Sequence, residues 1–220
     1  YLGKLAVLTR SQCEAIAASR GLWVEAVALA AAEGLLWHGQ RLGVESWVLT
    51  DEERWNAQFR RLDALPYVLS DGRTAKTLGV KGGWASWPIG LPSMIAGGYR
   101  RAVMVEGLPD ALAAFQVLLE SKLADSCAVL CMTGSGLRLP AECLPAFAGV
   151  RVRIFCDADT SGRAAALRWE AQLQAAGSEC DAFDLSGLFR ADGLRVKDLN
   201  DACLMRPAER AALGLMEGMA

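Results

Sequence analysis

Histidine is nearly absent: His38 is the only one in 220 residues. Any mechanism that needs two imidazoles is therefore excluded. The seven cysteines contain no C-x-x-C pair, so with one histidine they cannot supply a Cys/His zinc site of ordinary spacing. An odd cysteine count in a chain able to bury a core reads as reduced, buried thiols in a cytoplasmic protein. A charge surplus is missing as well. Lys+Arg total 23 and Asp+Glu 25, and the net charge of −2, taken as a whole, speaks against a nucleic-acid binder. No membrane span is expected. The longest uncharged stretch, residues 82–99, has 18 residues but holds five Gly and two Pro, which no spanning helix tolerates. The alanine-rich start lacks the charged-then-apolar layout of a signal peptide. The chain opens at Tyr1 rather than Met, which leaves open that it is a fragment with domains missing on either side. There is no Walker A motif, internal repeat or low-complexity tract.

What is present is a chain that is 53% hydrophobic, enough for one large domain or two small ones. Apolar spacing predicts helices over residues 11–19 and 23–33, with Ser11 capping the first and Gly34 ending the second. Strands are predicted at 35–38, 45–49 and 56–62. Residues 72–98, rich in Gly, Pro and Trp, read as loops and short strands. From Arg101 onward strands alternate with helices: strands at 102–105, 127–132, 150–155 and 180–185, helices at 109–123, 140–147, 161–176, 198–204 and 207–216. That alternation predicts an α/β fold, a mostly parallel sheet with helices on both faces, preceded by a small helical and β-strand subdomain.

Ligands of such sheets bind beyond the carboxyl ends of the strands. There the sequence places Glu106, then Thr133-Gly134-Ser135-Gly136, then Asp157-Ala158-Asp159, then Lys197-Asp198-Leu199-Asn200-Asp201. Carboxylates crowded on one sheet edge repel and raise each other's pKa. A hard cation such as Mg²⁺ relieves that conflict and keeps coordination positions for phosphate oxygens. The pattern points to metal-assisted phosphate chemistry.

These residues resemble the Toprim domain. Glu106-Gly107-Leu108-Pro109-Asp110 is similar to its E-G-x-x-D element, Asp157-Ala158-Asp159 to its D-x-D element, and Lys197 to Asp201 to the K-D-x-x-D/E element of primase-type members. The resemblance covers roughly residues 100–205. More loosely, residues 54–61, 76–78 and 87–91 resemble the segment that precedes Toprim in bacterial and phage-type primases. The division implied is residues 1–99 as a basic primase-like subdomain and residues 100–220 as a Toprim catalytic domain.

The implied activity is Mg²⁺- (or Mn²⁺-) dependent synthesis of RNA primers from ribonucleoside triphosphates on single-stranded DNA. The setting implied is replication of a phage or mobile element, with a replicative helicase as a possible partner. Carried over residue by residue, Glu106, Asp157 and Asp159 would be the catalytic, metal-holding acids. Asp110, Asp198 and Asp201 would be peripheral acids. Arg60, Arg61, Lys76 and Lys197 would contact nucleic acid or nucleotide.

Plainer roles stand beside these. Asp110 suits the first turn of any helix, and Asp198 can cap one while Lys197 pairs with an acid. Arg60 and Arg61 suit a solvated strand edge, and residues 133–136 read more simply as a turn than as a phosphate cradle. Trp84 and Trp87 are read as packing anchors rather than base-stacking residues, and His38 as structural. Cys156, beside the D-x-D, is the thiol expected to be sensitive to oxidation.

The rival readings are a Toprim nuclease and a non-catalytic nucleic-acid-binding module of a replication complex. A haloacid-dehalogenase-like phosphatase is disfavoured because its D-x-D follows the first strand of the domain. A topoisomerase is disfavoured because no strand-passage domain accompanies the three tyrosines. The charge is not uniform: residues 41–101 hold nine Lys/Arg against six acids, and the remainder has an excess of five acids. A basic flank beside an acidic sheet edge is compatible with salt-sensitive nucleic-acid binding.

Overall fold

The computed structural model describes residues 2–219. Helix α1 (Arg10–Arg20) is capped by Thr9, not Ser11: the Thr9 hydroxyl accepts the Gln12 N–H and the Gln12 side chain accepts the Thr9 N–H. This reciprocal pair satisfies two donors at once, which Ser11, inside the first turn, cannot do. Helix α2 (Val24–Ala32) follows. Strands β1 (Leu36–Arg41), β2 (Val44–Thr50) and β3 (Ala57–Arg61) form an antiparallel meander, joined by the short β6 (Leu78–Gly79). Strands β4 (Tyr67–Val68) and β5 (Thr74–Ala75) form a small ribbon beside it. His38 pairs with Glu45 across β1 and β2, the structural role expected of it.

Within residues 72–98 a helix appears, α3 (Leu91–Ala96), with Pro92 in its first turn, where a missing N–H does no harm. Then come β7 (Arg101–Val105), α4 (Leu108–Glu120), β8 (Ala128–Cys131), β9 (Arg151–Phe155), α5 (Thr160–Ala175), β10 (Glu179–Phe183), α6 (Leu199–Cys203) and α7 (Pro207–Ala212). The predicted helix at 140–147 is only a 3₁₀ turn, Leu144–Phe147. Pro145 falls in the middle of the expected helix and lacks the N–H that an α-turn needs. Helix α7 stops short of Met216 because Gly214, at φ +59°, turns the chain.

The sheet β10-β9-β7-β8 is wholly parallel. Alternation along its strands splits the core in two. Val103, Val105, Val129 and Cys131 face one side, packed with α1, α2, α4 and α6. Ala102, Met104, Leu130, Val152 and Ile154 face the other, with α3 and Trp169 of α5. This is the α/β architecture expected from the sequence, a parallel sheet with helices on both faces, preceded by a small helical and β-strand portion. The first two helices share one continuous core with the parallel sheet. The meander is stitched on by Asp51, whose carboxylate accepts the Gly90 N–H at 3.0 Å, and by the Ile89–Cys131 bridge to β8.

Six of the seven cysteines are buried and all are free thiols. Cys156 is among the buried ones, and desolvation, then the neighbouring Glu106 and Asp157, push its thiol far up. Burial and the neighbouring acids thus disfavour the thiolate on which the expected oxidation sensitivity would depend. Among the described residues no helix is long and apolar enough to cross a membrane.

Candidate metal and phosphate site

Strand order reverses between β7 and β9: β8 lies on one side of β7, and β9 and β10 on the other. A crevice opens at such a switch point because the connections leave in opposite directions. Glu106 follows β7 and Asp157 follows β9, so both acids stand at its mouth.

Asp110, Asp157 and Asp198 converge there, with one carboxylate oxygen of each lying within 4.8 Å of the others. Asp110 projects from the first turn of α4, and its Oδ1 accepts the Asn200 N–H at 3.0 Å. It is buried, and its pKa is driven well up by desolvation and by the adjacent Asp198. Asp157 is raised to about 7, first by burial and then by the charges of Glu106 and Asp198. Asp198 caps α6 through the Asp201 N–H at 2.7 Å and is also raised, chiefly by burial.

Glu106 sits beside them. Its Oε1 accepts the Ser135 N–H at 3.1 Å, while Oε2 is buried with no hydrogen-bond partner. Buried carboxylate oxygens are normally satisfied. Here one stands unpartnered beside three clustered carboxylates that burial holds toward their protonated forms, an arrangement of like charges that a divalent cation held by the three would relieve. Hard oxygen donors suit Mg²⁺ or Mn²⁺, and the residues present fit such an ion.

Asp159 stands apart from this cluster. It is exposed and caps α5, accepting the Gly162 N–H and the Ser161 hydroxyl, each at 2.8 Å, and these bonds lower its pKa. Asp201 also has partners: it pairs with Arg190 at 3.0 Å and accepts the Lys197 N–H at 3.2 Å. Lys197 is exposed. Its carbonyl accepts the Ala158 N–H at 2.6 Å, which ties the two acidic loops together. Gly162 is sterically required, since a Cβ there would come within 2.1 Å of the Asp157 carbonyl oxygen.

The acids line a cavity of about 370 Å³ together with the cations Arg20, Arg60 and Lys76. Arg60 has its pKa lowered by burial, opposed by Asp110 and Asp198. Arg61, the next residue on β3, faces away and grips Asp63 and the Pro66 carbonyl. The loop after β8 completes the wall with Thr133 and Gly134, where Thr133 sits at φ +63° and is held by Asn56 and Gln58.

Arg20 escaped the sequence reading. It ends α1, about ninety residues before the nearest acid of the site, where a cation is ordinary. Its Nε and Nη2 are buried without partners, and burial together with Arg60 lowers its pKa to about 10. Nothing local in sequence marks it, because its role depends on α1 packing beside α6, where the Asn200 side chain donates to the Arg20 carbonyl at 2.9 Å.

No protein-family model matches the chain, and no curated protein matches it. Among solved structures, the zinc-binding and RNA polymerase domains of the Aquifex aeolicus primase are distantly similar. Identity is 19% and the TM-score 0.41, over 72% of this chain and 40% of that one. This chain thus spans less than half the length of that chain.

Proposed function

We propose that this chain is the catalytic core of a primase-like nucleotidyltransferase that joins ribonucleotides on a single-stranded DNA template. The observation that carries the reading is the two-signed cavity. Carboxylates that suit a divalent cation share one cavity with Arg60, Lys76 and Arg20, whose Nε and Nη2 lack partners, a set of groups matched to a polyphosphate with its metal.

Asp110, Asp157 and Asp198 would hold Mg²⁺ (or Mn²⁺), which when bound supplies charge neutralisation for the phosphates. Arg20, Arg60 and Lys76, which line the same cavity, bind phosphate oxygens. The guanidiniums do so as forks and the lysine as a mobile point charge. Glu106 has one oxygen fixed by the Ser135 N–H. Its free Oε2 would accept the proton of a ribose 3′-hydroxyl as that oxygen attacks the α-phosphate of the incoming nucleotide and pyrophosphate leaves. Asp159 and Asp201 position the loops by capping and pairing. Arg61 and Lys197 supply peripheral positive charge.

The test is metal-dependent incorporation of labelled ribonucleotides on single-stranded DNA, with Glu106→Gln and Asp157→Asn as controls. Incorporation by the wild type and its loss, by about 100-fold or more, in both variants is expected. Equal behaviour of all three defeats the assignment. Cleavage of the DNA in place of incorporation, unaffected by Arg60→Ala and Lys76→Ala, would replace it with a metal-dependent nuclease.

A further inference from the structure

Outside the acidic cavity, three tryptophans meet. Trp55 and Trp84 stack with ring centroids 5.8 Å apart and planes 30° from parallel. Trp87 packs edge-on beneath Trp55 at 4.4 Å and touches Trp84 at 5.1 Å. Only Trp87 is buried, at 8% exposure, while Trp55 keeps 43% and Trp84 37% of their surface open to solvent. One indole thus anchors the group and two are presented.

The backbone that carries them is braced by hydrogen bonds. The Trp84 N–H donates to the Trp55 carbonyl at 2.6 Å. The Asn56 side chain donates to the carbonyls of Ala85 and Trp87, both at 2.9 Å. Gly83 is pinned as well, because a Cβ there would press on the Trp55 carbonyl at 3.1 Å. Beside the indoles runs a cleft of about 340 Å³ lined by Arg54, Lys81 and the glycines 82 and 83. Its charged lining is two cations and no acid.

We propose that Trp55 and Trp84, with Arg54 and Lys81, form a stacking platform for single-stranded nucleic acid. Ordered, exposed aromatic faces accept unpaired bases of any sequence, and flanking cations follow the backbone. A duplex, its bases already stacked, cannot use the indole faces. The location suits the occupant. Trp55 precedes Arg60 of the acidic cavity by five residues, at most about 17 Å of chain. Asn56, which braces the platform, also reaches Thr133 of the cavity wall at 3.3 Å. The platform rests on the proposed function only for what the strand is used for, and strand binding is read without metal or turnover.

The experiment uses the full chain in chelator. Anisotropy of a labelled oligothymidylate is followed together with intrinsic tryptophan fluorescence. Tryptophan quenching by the oligonucleotide is expected, with affinity reduced about tenfold by Trp55→Ala or Trp84→Ala. Trp55→Phe and Trp84→Phe are expected to retain most of the affinity while losing part of the quenching. These conservative variants keep the test valid if an alanine variant misfolds. Affinities within twofold for all variants, without quenching, would overturn the platform. So would equal losses for duplex DNA, or an effect of the variants confined to self-association of the protein. A platform that binds in a chain showing no ribonucleotide incorporation sinks the catalytic reading alone.

Discussion

Asp110 and Asn200 are ninety residues apart, yet the backbone N–H of Asn200 donates to the Asp110 carboxylate at 3.0 Å. The bond joins the first turns of α4 and α6 and fixes the acid in a buried position on the cavity wall. An aspartate placed there serves as a structural acceptor and as a carboxylate aimed at Asp157 and Asp198.

The two roles separate by substitution. Asp110→Asn keeps an acceptor oxygen and is expected to leave metal-free stability within about 0.5 kcal/mol, because burial already favours the uncharged acid. Asp110→Ala strands the Asn200 N–H and should cost about 1–3 kcal/mol. Chemical denaturation measures both. Neither variant should show the rise in melting temperature that Mn²⁺ gives the wild type.

Asp157 makes metal-free stability pH-dependent. Its pKa rises from 3.8 to about 7 on folding. Between those values the folded protein keeps a proton that the unfolded chain has released. Its contribution is therefore fully present below about pH 4 and is lost as pH climbs through 7. Divalent-ion affinity runs the other way and increases over the same window, since the ion competes with the proton. Melting curves with and without Mn²⁺ from pH 5 to 8 are expected to converge at the acid end, and Asp157→Asn to flatten the metal-free trend.

Gly162→Ala tests the loop. Helix propensity alone would make this change stabilising by about 1 kcal/mol. The clash with the Asp157 carbonyl at 2.1 Å reverses the sign. A net destabilisation of about 2 kcal/mol or more is expected, together with weakened metal response, because the backbone that yields is the one carrying Asp157.

Neighbouring arginines should differ sharply. Arg60→Ala and Arg20→Ala remove cavity-lining guanidiniums and are expected to weaken ribonucleoside triphosphate binding about tenfold each, by calorimetry. Arg61→Ala removes the partner of Asp63 and should change it less than twofold. Similar losses at all three would show that general positive charge, rather than the cavity wall, attracts the ligand.

Much of the fold was legible because the periodicities are local. The four parallel strands and the helices α4 and α5 follow from short apolar runs alternating with amphipathic stretches. Misses occurred where single residues intervene: Thr9 as the cap, Pro145 in a frustrated helix, Gly214 as a stop. The tryptophans divided in a way no pattern foretells. Trp87 is the expected anchor, but Trp84 is held open by Gly83 and by its bond to Trp55.

The sequence by itself determined which residue types a site could use, because one histidine and no C-x-x-C pair leave carboxylates at the ends of parallel strands as the metal-ligating candidates. Only the tertiary structure decided which carboxylates meet. Asp110 and Asp198 join Asp157, while Asp159, in the same motif as Asp157, turns outward to cap α5. It also brought Arg20 from the first helix into the same cavity. Motif spacing specifies which strand end a side chain leaves from. Whether it is desolvated among like charges or satisfied by a helix terminus depends on how α1, α4, α5 and α6 pack around the switch point.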